Sequence, residues 1–318
     1  MSPRTAKSKG GADAAAPPSA TAEYPGLLIE YWERDKDRKV KRHYDINGVT
    51  VPSVSTVKDI LDAPPTWWGM QVGVDGMIQL FNTGFLFPVE VMTVNGVHKV
   101  LGLRDPMGQI VTAGMENAVA LLQQQALTTK DKKDAGATRG QSVHDAFKLF
   151  CDHGEIPNVM DYPPQEQGYI EAMLTFLEHA QPEPVASEVI VGSAEHGFAG
   201  RYDVRFRLTE ERQLVAHHTP VHGPQWVTVP PGEILGDVKT SKYVYATHPI
   251  QLGGYELGSI ECGLGETSAR AIIQFEADGQ YRFVRCDEWA PNECFLTVLG
   301  LYNMLEDMKT RKPPGGRH

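Results

Sequence analysis

Residues 234–240 (ILGDVKT) form an apolar run broken by one acid and one base at alternate positions. Side chains alternate across a β-strand, so Asp237 and Lys239 project from one face. A carboxylate and an ammonium set into an otherwise apolar strand are costly to bury. They form either an internal ion pair or part of a site. The D-x-K spacing alone is weak, because it arises by chance in many chains.

The preceding strand, residues 198–208, places Asp203 on the same face as Arg201 and Arg205. A salt bridge to one of those arginines is its ordinary use. If this strand pairs with the Asp237 strand, two carboxylates converge, and they repel unless a cation lies between them. Such a pair, completed by water, suits Mg2+ or Mn2+. Downstream, Gln251 and Tyr255 stand four apart and share a helical face. Gly253, Gly254 and Gly258 are poor helix formers, which predicts a helix packed very close to the sheet. Upstream, His144 lies beside the helical stripe of Val143, Phe147 and Phe150 rather than within it. A lone histidine there is more often structural than functional. Glu188 is an unexpected acid in the apolar strand 185–191. It is an additional metal ligand or an acid just behind the ligands.

Periodicity predicts helices over residues 140–152, 165–180, 249–262 and 292–309. It predicts strands over 185–191, 198–208, 234–240, 269–275 and 281–285. Consecutive strands imply antiparallel neighbours, and strand–helix–strand implies a parallel crossover. The fold class is therefore α/β, with a mixed central sheet flanked by helices. Before this core, strands are expected over 27–32, 39–44 and 49–51, with a turn at Asn47-Gly48 and a short helix over 55–61. A hairpin over 89–100, a helix over 116–127 and a mobile polar loop over 128–140 follow. Three regions result: a disordered tail over 1–23, an N-terminal strand and helix region over 24–127, and the core with its C-terminal helix over 128–318.

In order along the chain stand His144, then GRYD at 200–203, DVKTS at 237–241 and Q-x-x-x-Y at 251–255. This series resembles the RecB-like branch of the PD-(D/E)XK nuclease superfamily, which includes CRISPR-associated RecB-type and phage-encoded exonucleases. The resemblance covers residues 139–285. It implies a restriction-endonuclease-like core and metal-dependent hydrolysis of DNA, more from ends than internally, in replication, recombination or repair. It implies that Asp203 and Asp237 hold Mg2+ or Mn2+, with His144 and the Val238 carbonyl as further ligands. Lys239 would position or activate the attacking water. Gln251 and Tyr255 would orient the lysine, the metal shell or the phosphate. Many members carry an iron–sulfur cluster on one cysteine before the histidine motif and a compact C-terminal cysteine group. Here Cys151 follows His144, and Cys286 and Cys294 have no close third partner, so no cluster is expected. Residues 209–233, between the two acidic strands, read as an extended hairpin that touches DNA or a partner.

A net charge of −10 argues against non-specific DNA binding over the whole surface, yet leaves room for a local basic groove. No apolar run approaches the ~20 residues that cross a bilayer, and no apolar signal core follows the N-terminus. The expectation is a cytoplasmic protein, bacterial or from a phage-infected cell, with no membrane partner. DNA, single-stranded or at duplex ends, is the expected ligand, with replication or recombination proteins as further partners. The competing expectation is a non-catalytic DNA-binding or recombination-accessory protein on the same fold. The intact set of Asp203, Asp237 and Lys239 favours the enzyme.

Overall fold

The computed structural model describes residues 18–33, 43–61, 86–93, 96–104, 110–112, 129–219, 223–287 and 291–310. Alternating residues after position 20 build an antiparallel sheet of β1 (Ala20–Tyr24), β2 (Leu27–Trp32), β3 (His43–Ile46) and β4 (Val49–Val51). The turn at Asn47 and Gly48 has φ values of 50° and 81°, as a two-residue hairpin turn requires. β1 lies partly in the stretch read as tail. Its short alternating segment gains structure by pairing along β2, from Ala20 against Tyr31 to Tyr24 against Leu27. The helix α1 (Val54–Asp59) follows, capped by Ser53, whose hydroxyl accepts the Thr56 N–H. A second antiparallel sheet comprises β5 (Leu86–Thr93), β6 (Gly96–Arg104) and β7 (Ile110–Thr112). The expected helix over 116–127 lies outside the described residues.

The long helix α2 (Thr129–His153) corrects the expectation of a loop over 128–140. Lysines and alanines are good helix formers, and Asp131 in the first turn suits the helix dipole. Together they outweigh Gly136 and Gly140. Next come α3 (Pro164–Ala180), β8 (Glu183–Ser193), β9 (Phe198–Leu208), and the hairpin of β10 (Arg212–Thr219) with β11 (Gly223–Val229). That hairpin lies within residues 209–233, where a hairpin was expected. The chain continues through β12 (Gly232–Lys239), α4 (Thr247–Glu261), β13 (Ala269–Phe275), β14 (Tyr281–Arg285) and α5 (Pro291–Thr310).

The main sheet has the order β14-β13-β12-β9-β8. β12 runs parallel to β13 across the α4 crossover and antiparallel to β9. The strand carrying Asp237 is therefore central and covered on both faces. One face packs on α2 and α3, where fully buried Phe176 touches the rings of Phe147, Phe206, Phe275, Tyr281 and Phe283. The other packs on α4, α5, α1 and the N-terminal sheet, which share one core. Among the described residues, no helix is long and apolar enough to cross a membrane.

The glycines of α4 make the close approach expected of them, but mostly to another partner. A Cβ on Gly253 would sit 2.1 Å from the Pro291 carbonyl oxygen, and one on Gly254 2.7 Å from the Phe295 ring. These two let α5 press on α4. Of the three, Gly258 alone meets the sheet, 3.1 Å from the Gly192 nitrogen.

Candidate active site

The antiparallel ladder between β9 and β12 stops at the pair Val204 and Gly236. Beyond it, the Asp203 carboxylate takes over from the backbone: its Oδ2 accepts the Val238 N–H at 2.8 Å. The carbonyl of the same residue faces His144, whose Nε2 lies 3.0 Å from it. A carbonyl oxygen can only accept, so Nε2–H donates to it and Nδ1 is left facing the neighbouring carboxylates. Nδ1 lies 3.6 Å from Asp203 Oδ2 and 4.0 Å from Glu188 Oε1. The three side chains offer ligand atoms within 4.8 Å of one another.

Neither arginine flanking Asp203 pairs with it. Arg201 Nε binds Glu188 Oε2 at 2.7 Å, and Arg205 binds Glu233. The ordinary salt-bridge use of Asp203 is thus absent among the described residues. Glu188 stands out in its backbone too, with φ of 52° in the middle of a strand. Among the described residues, the other non-glycine positions with positive φ, Asn47 and Gln181, sit at a turn and at a helix C-cap. A left-handed residue inside a strand costs on the order of 1–3 kcal/mol and is most often found at functional sites. Burial pushes the Glu188 carboxyl above its ordinary pKa, with Arg201 opposing the rise.

Asp237 is fully buried, and its Oδ1 has no hydrogen-bond partner. Lys239 Nζ lies 2.5 Å from Oδ2 as an ionic contact. Burial raises the Asp237 pKa to about 6; Lys239 pulls it down and Asp203 pushes it further up. For Lys239, burial favours the neutral amine, but the charges of Asp237 and Asp203 outweigh it and the pKa rises. The lysine stays charged, and its side chain is about one-fifth exposed (21%). The charge on Asp203 therefore bears on Asp237, although Asp237 stands outside the trio of mutually close ligand atoms.

Gln251 and Tyr255 form one unit: Gln251 Nε2 donates to the Tyr255 hydroxyl at 2.8 Å within the buried layer. Burial, with Asp237 and Asp203 nearby, lifts the tyrosine pKa well above its ordinary value. Gly200 makes this possible, since a Cβ there would lie 2.7 Å from Tyr255 Cε1. The sequence offered a cue for that glycine only through its place in the GRYD motif. The part played by Arg201 went unread: it anchors Glu188 and stacks 5.6 Å over Tyr31 of the N-terminal sheet.

The cysteines are dispersed. Cys262 and Cys286 are buried in the core beneath α4 and donate to the carbonyls of Gly192 and Val284. Cys151 packs against the opposite core. Comparison of the sequence with known protein families and with curated proteins finds no match.

Proposed function

We propose that this chain is a metal-dependent DNA nuclease on a PD-(D/E)XK core of the RecB-like kind, cutting phosphodiester bonds from strand ends. One observation carries the reading. Where the β9–β12 ladder ends, His144, Glu188 and Asp203 gather at ligand distance, beside the buried Asp237 and Lys239.

The residues present fit a divalent cation. Asp237 has a buried Oδ1 with no hydrogen-bond partner, beside the Oδ2 that Lys239 engages. Asp203, Glu188 and Nδ1 of His144 complete a hard, anionic donor set, which suits Mn2+ or Mg2+. His144, Glu188 and Asp203, which gather at ligand distance, would hold the ion together with Asp237 beside them. The Val238 carbonyl keeps a second lone pair for it after accepting from His144. When bound, such a cation stabilises charge on the phosphorane and makes bound water more acidic. The chain does the rest. The Lys239 ammonium orients the attacking water and offsets developing negative charge. Arg201 and the carbonyl of Val238 fix the carboxylate and imidazole rotamers, a supporting shell that metal sites need. The Gln251–Tyr255 pair walls the site on the α4 side and keeps bulk water out.

The test is degradation of end-labelled DNA with Mg2+ or Mn2+. Asp203→Ala and Asp237→Ala should each abolish it while circular dichroism stays native. Degradation undiminished in excess EDTA would refute the mechanism. One observation favours the non-catalytic alternative: Lys239 neutralises Asp237 as a structural ion pair would. A wild-type chain that binds DNA but never cuts it would establish that alternative.

A further inference from the structure

After Lys239, three consecutive carbonyls are held by side chains from three different elements. Thr240 O accepts from Arg139 Nη2 of α2 at 3.5 Å, and Ser241 O accepts from buried Gln274 of β13. Lys242 O accepts from Arg282 Nη2 of β14 at 3.4 Å. The Ser241 hydroxyl donates to Tyr243 O at 2.8 Å. Thus anchored, the loop holds two large rings in water. Tyr243 and Tyr245 are 54% and 53% exposed and meet edge to face at 6.5 Å. The Lys242 ammonium sits 5.4 Å over the Tyr243 ring.

Beside the loop lies a cleft of about 530 Å³, lined by Arg139, His217, Lys242 and Arg282 and also by Glu276 and Asp278. Arg282 is balanced by Glu276 at 2.9 Å. Arg139 stacks 4.8 Å over the Tyr169 ring, and its Nε has no hydrogen-bond partner. Neither Arg139 nor Lys242 has a carboxylate partner among the described residues. In a chain of net charge −10, Arg139 and Lys242 thus place positive charge beside exposed aromatic rings.

We infer that this loop and cleft bind a single strand of DNA, its phosphates against Arg139 and Lys242 and its bases stacked on Tyr243 and Tyr245. Cations that track a backbone, alternating with rings that accept unpaired bases, are the pattern of single-strand binding. A duplex keeps its base faces stacked inside, so exposed tyrosines gain little from it. The position of the loop next to the reacting phosphate rests on the nuclease reading. The binding itself does not.

The experiment is fluorescence anisotropy of the full chain with a labelled oligothymidylate, and with a duplex of equal length, in Ca2+. The single strand should bind more tightly. Tyr243→Ala and Tyr245→Ala should each weaken it by about tenfold, while Tyr→Phe at either position restores it and duplex affinity hardly moves. Lys242→Ala should lower the salt dependence of single-strand binding by about one released counterion. Equal affinity for both forms, or a double alanine variant that binds the single strand like wild type, would overturn the inference. If cleavage is present while the alanine variants bind unchanged, this inference alone fails. If single-strand binding depends on the tyrosines but no divalent ion supports cleavage, the nuclease reading alone fails.

Discussion

Asp203 accepts the Val238 N–H at 2.8 Å, so a side chain of β9 completes the ladder that its own backbone leaves. His144 engages the carbonyl of the same residue. One peptide residue thereby sets the spacing between a carboxylate from the sheet and an imidazole from α2, immediately before Lys239.

Lys239→Ala should lose cleavage by about a hundred- to ten-thousandfold yet keep much of its DNA affinity in Ca2+. A group acting mainly in the transition state affects rate more than ground-state binding. Single-turnover cleavage and equilibrium binding measure the two separately. A near wild-type rate would make Lys239 a structural partner of Asp237.

Asp237 binds its proton more tightly when folded, because burial lifts its pKa from 3.8 to about 6. The sign follows from linkage. This group's contribution to metal-free stability is fully present below pH 3.8 and is lost as pH rises through about 6. A divalent cation must displace that proton. Affinity for Mn2+ should therefore climb between pH 5 and 7 and then level off, with proton release seen by calorimetry in buffers of differing ionisation enthalpy. Asp237→Asn should flatten the climb.

An imidazole ligand suits Mn2+ better than Mg2+, which prefers oxygen. His144→Ala should therefore narrow the difference between the two ions, costing Mn2+ affinity about tenfold or more and Mg2+ affinity less. Titration calorimetry of wild type and variant with each ion checks this. A variant with the wild-type Mn2+ preference would remove His144 from the ligand set.

Gly200→Ala forces a methyl to within 2.7 Å of Tyr255 Cε1 and 2.9 Å of Val54 Cγ2. Overpacking of this kind costs about 1–3 kcal/mol, read as a lower urea midpoint. Cleavage should fall with it, because Tyr255 moves. Tyr255→Phe should be milder, at about 1 kcal/mol for one hydroxyl.

The core was legible where period and order carry the information. Alternation in 234–240 placed Asp237 and Lys239 together, and the strand–helix–strand end gave the parallel pair β12 and β13. Contacts set by distant partners were not legible. Gly253 and Gly254 read as sheet-facing because only their small size shows in sequence, while Pro291 and Phe295 decide what they face. Arg201 and Arg205 looked like partners of Asp203, their neighbour on the strand. Glu188 and Glu233 on adjacent strands claim them instead. The left-handed backbone of Glu188 leaves no trace in composition, because glutamate is an unusual residue for that conformation. The loop expected over 128–140 failed for a related reason: its glycines weighed more in isolation than in a continuous helix.

The three carbonyl anchors on the segment after Lys239 would bear on the rate as well as the affinity of the strand binding inferred above. Each contact is weak on its own, but they come from α2, β13 and β14, so the segment cannot swing without disturbing all three. Its conformational entropy is surrendered when the chain folds, not when a ligand arrives. Encounter therefore needs no slow rearrangement of this rim. Capture should be governed by diffusion and ionic strength, and residence time by how well the incoming groups stack.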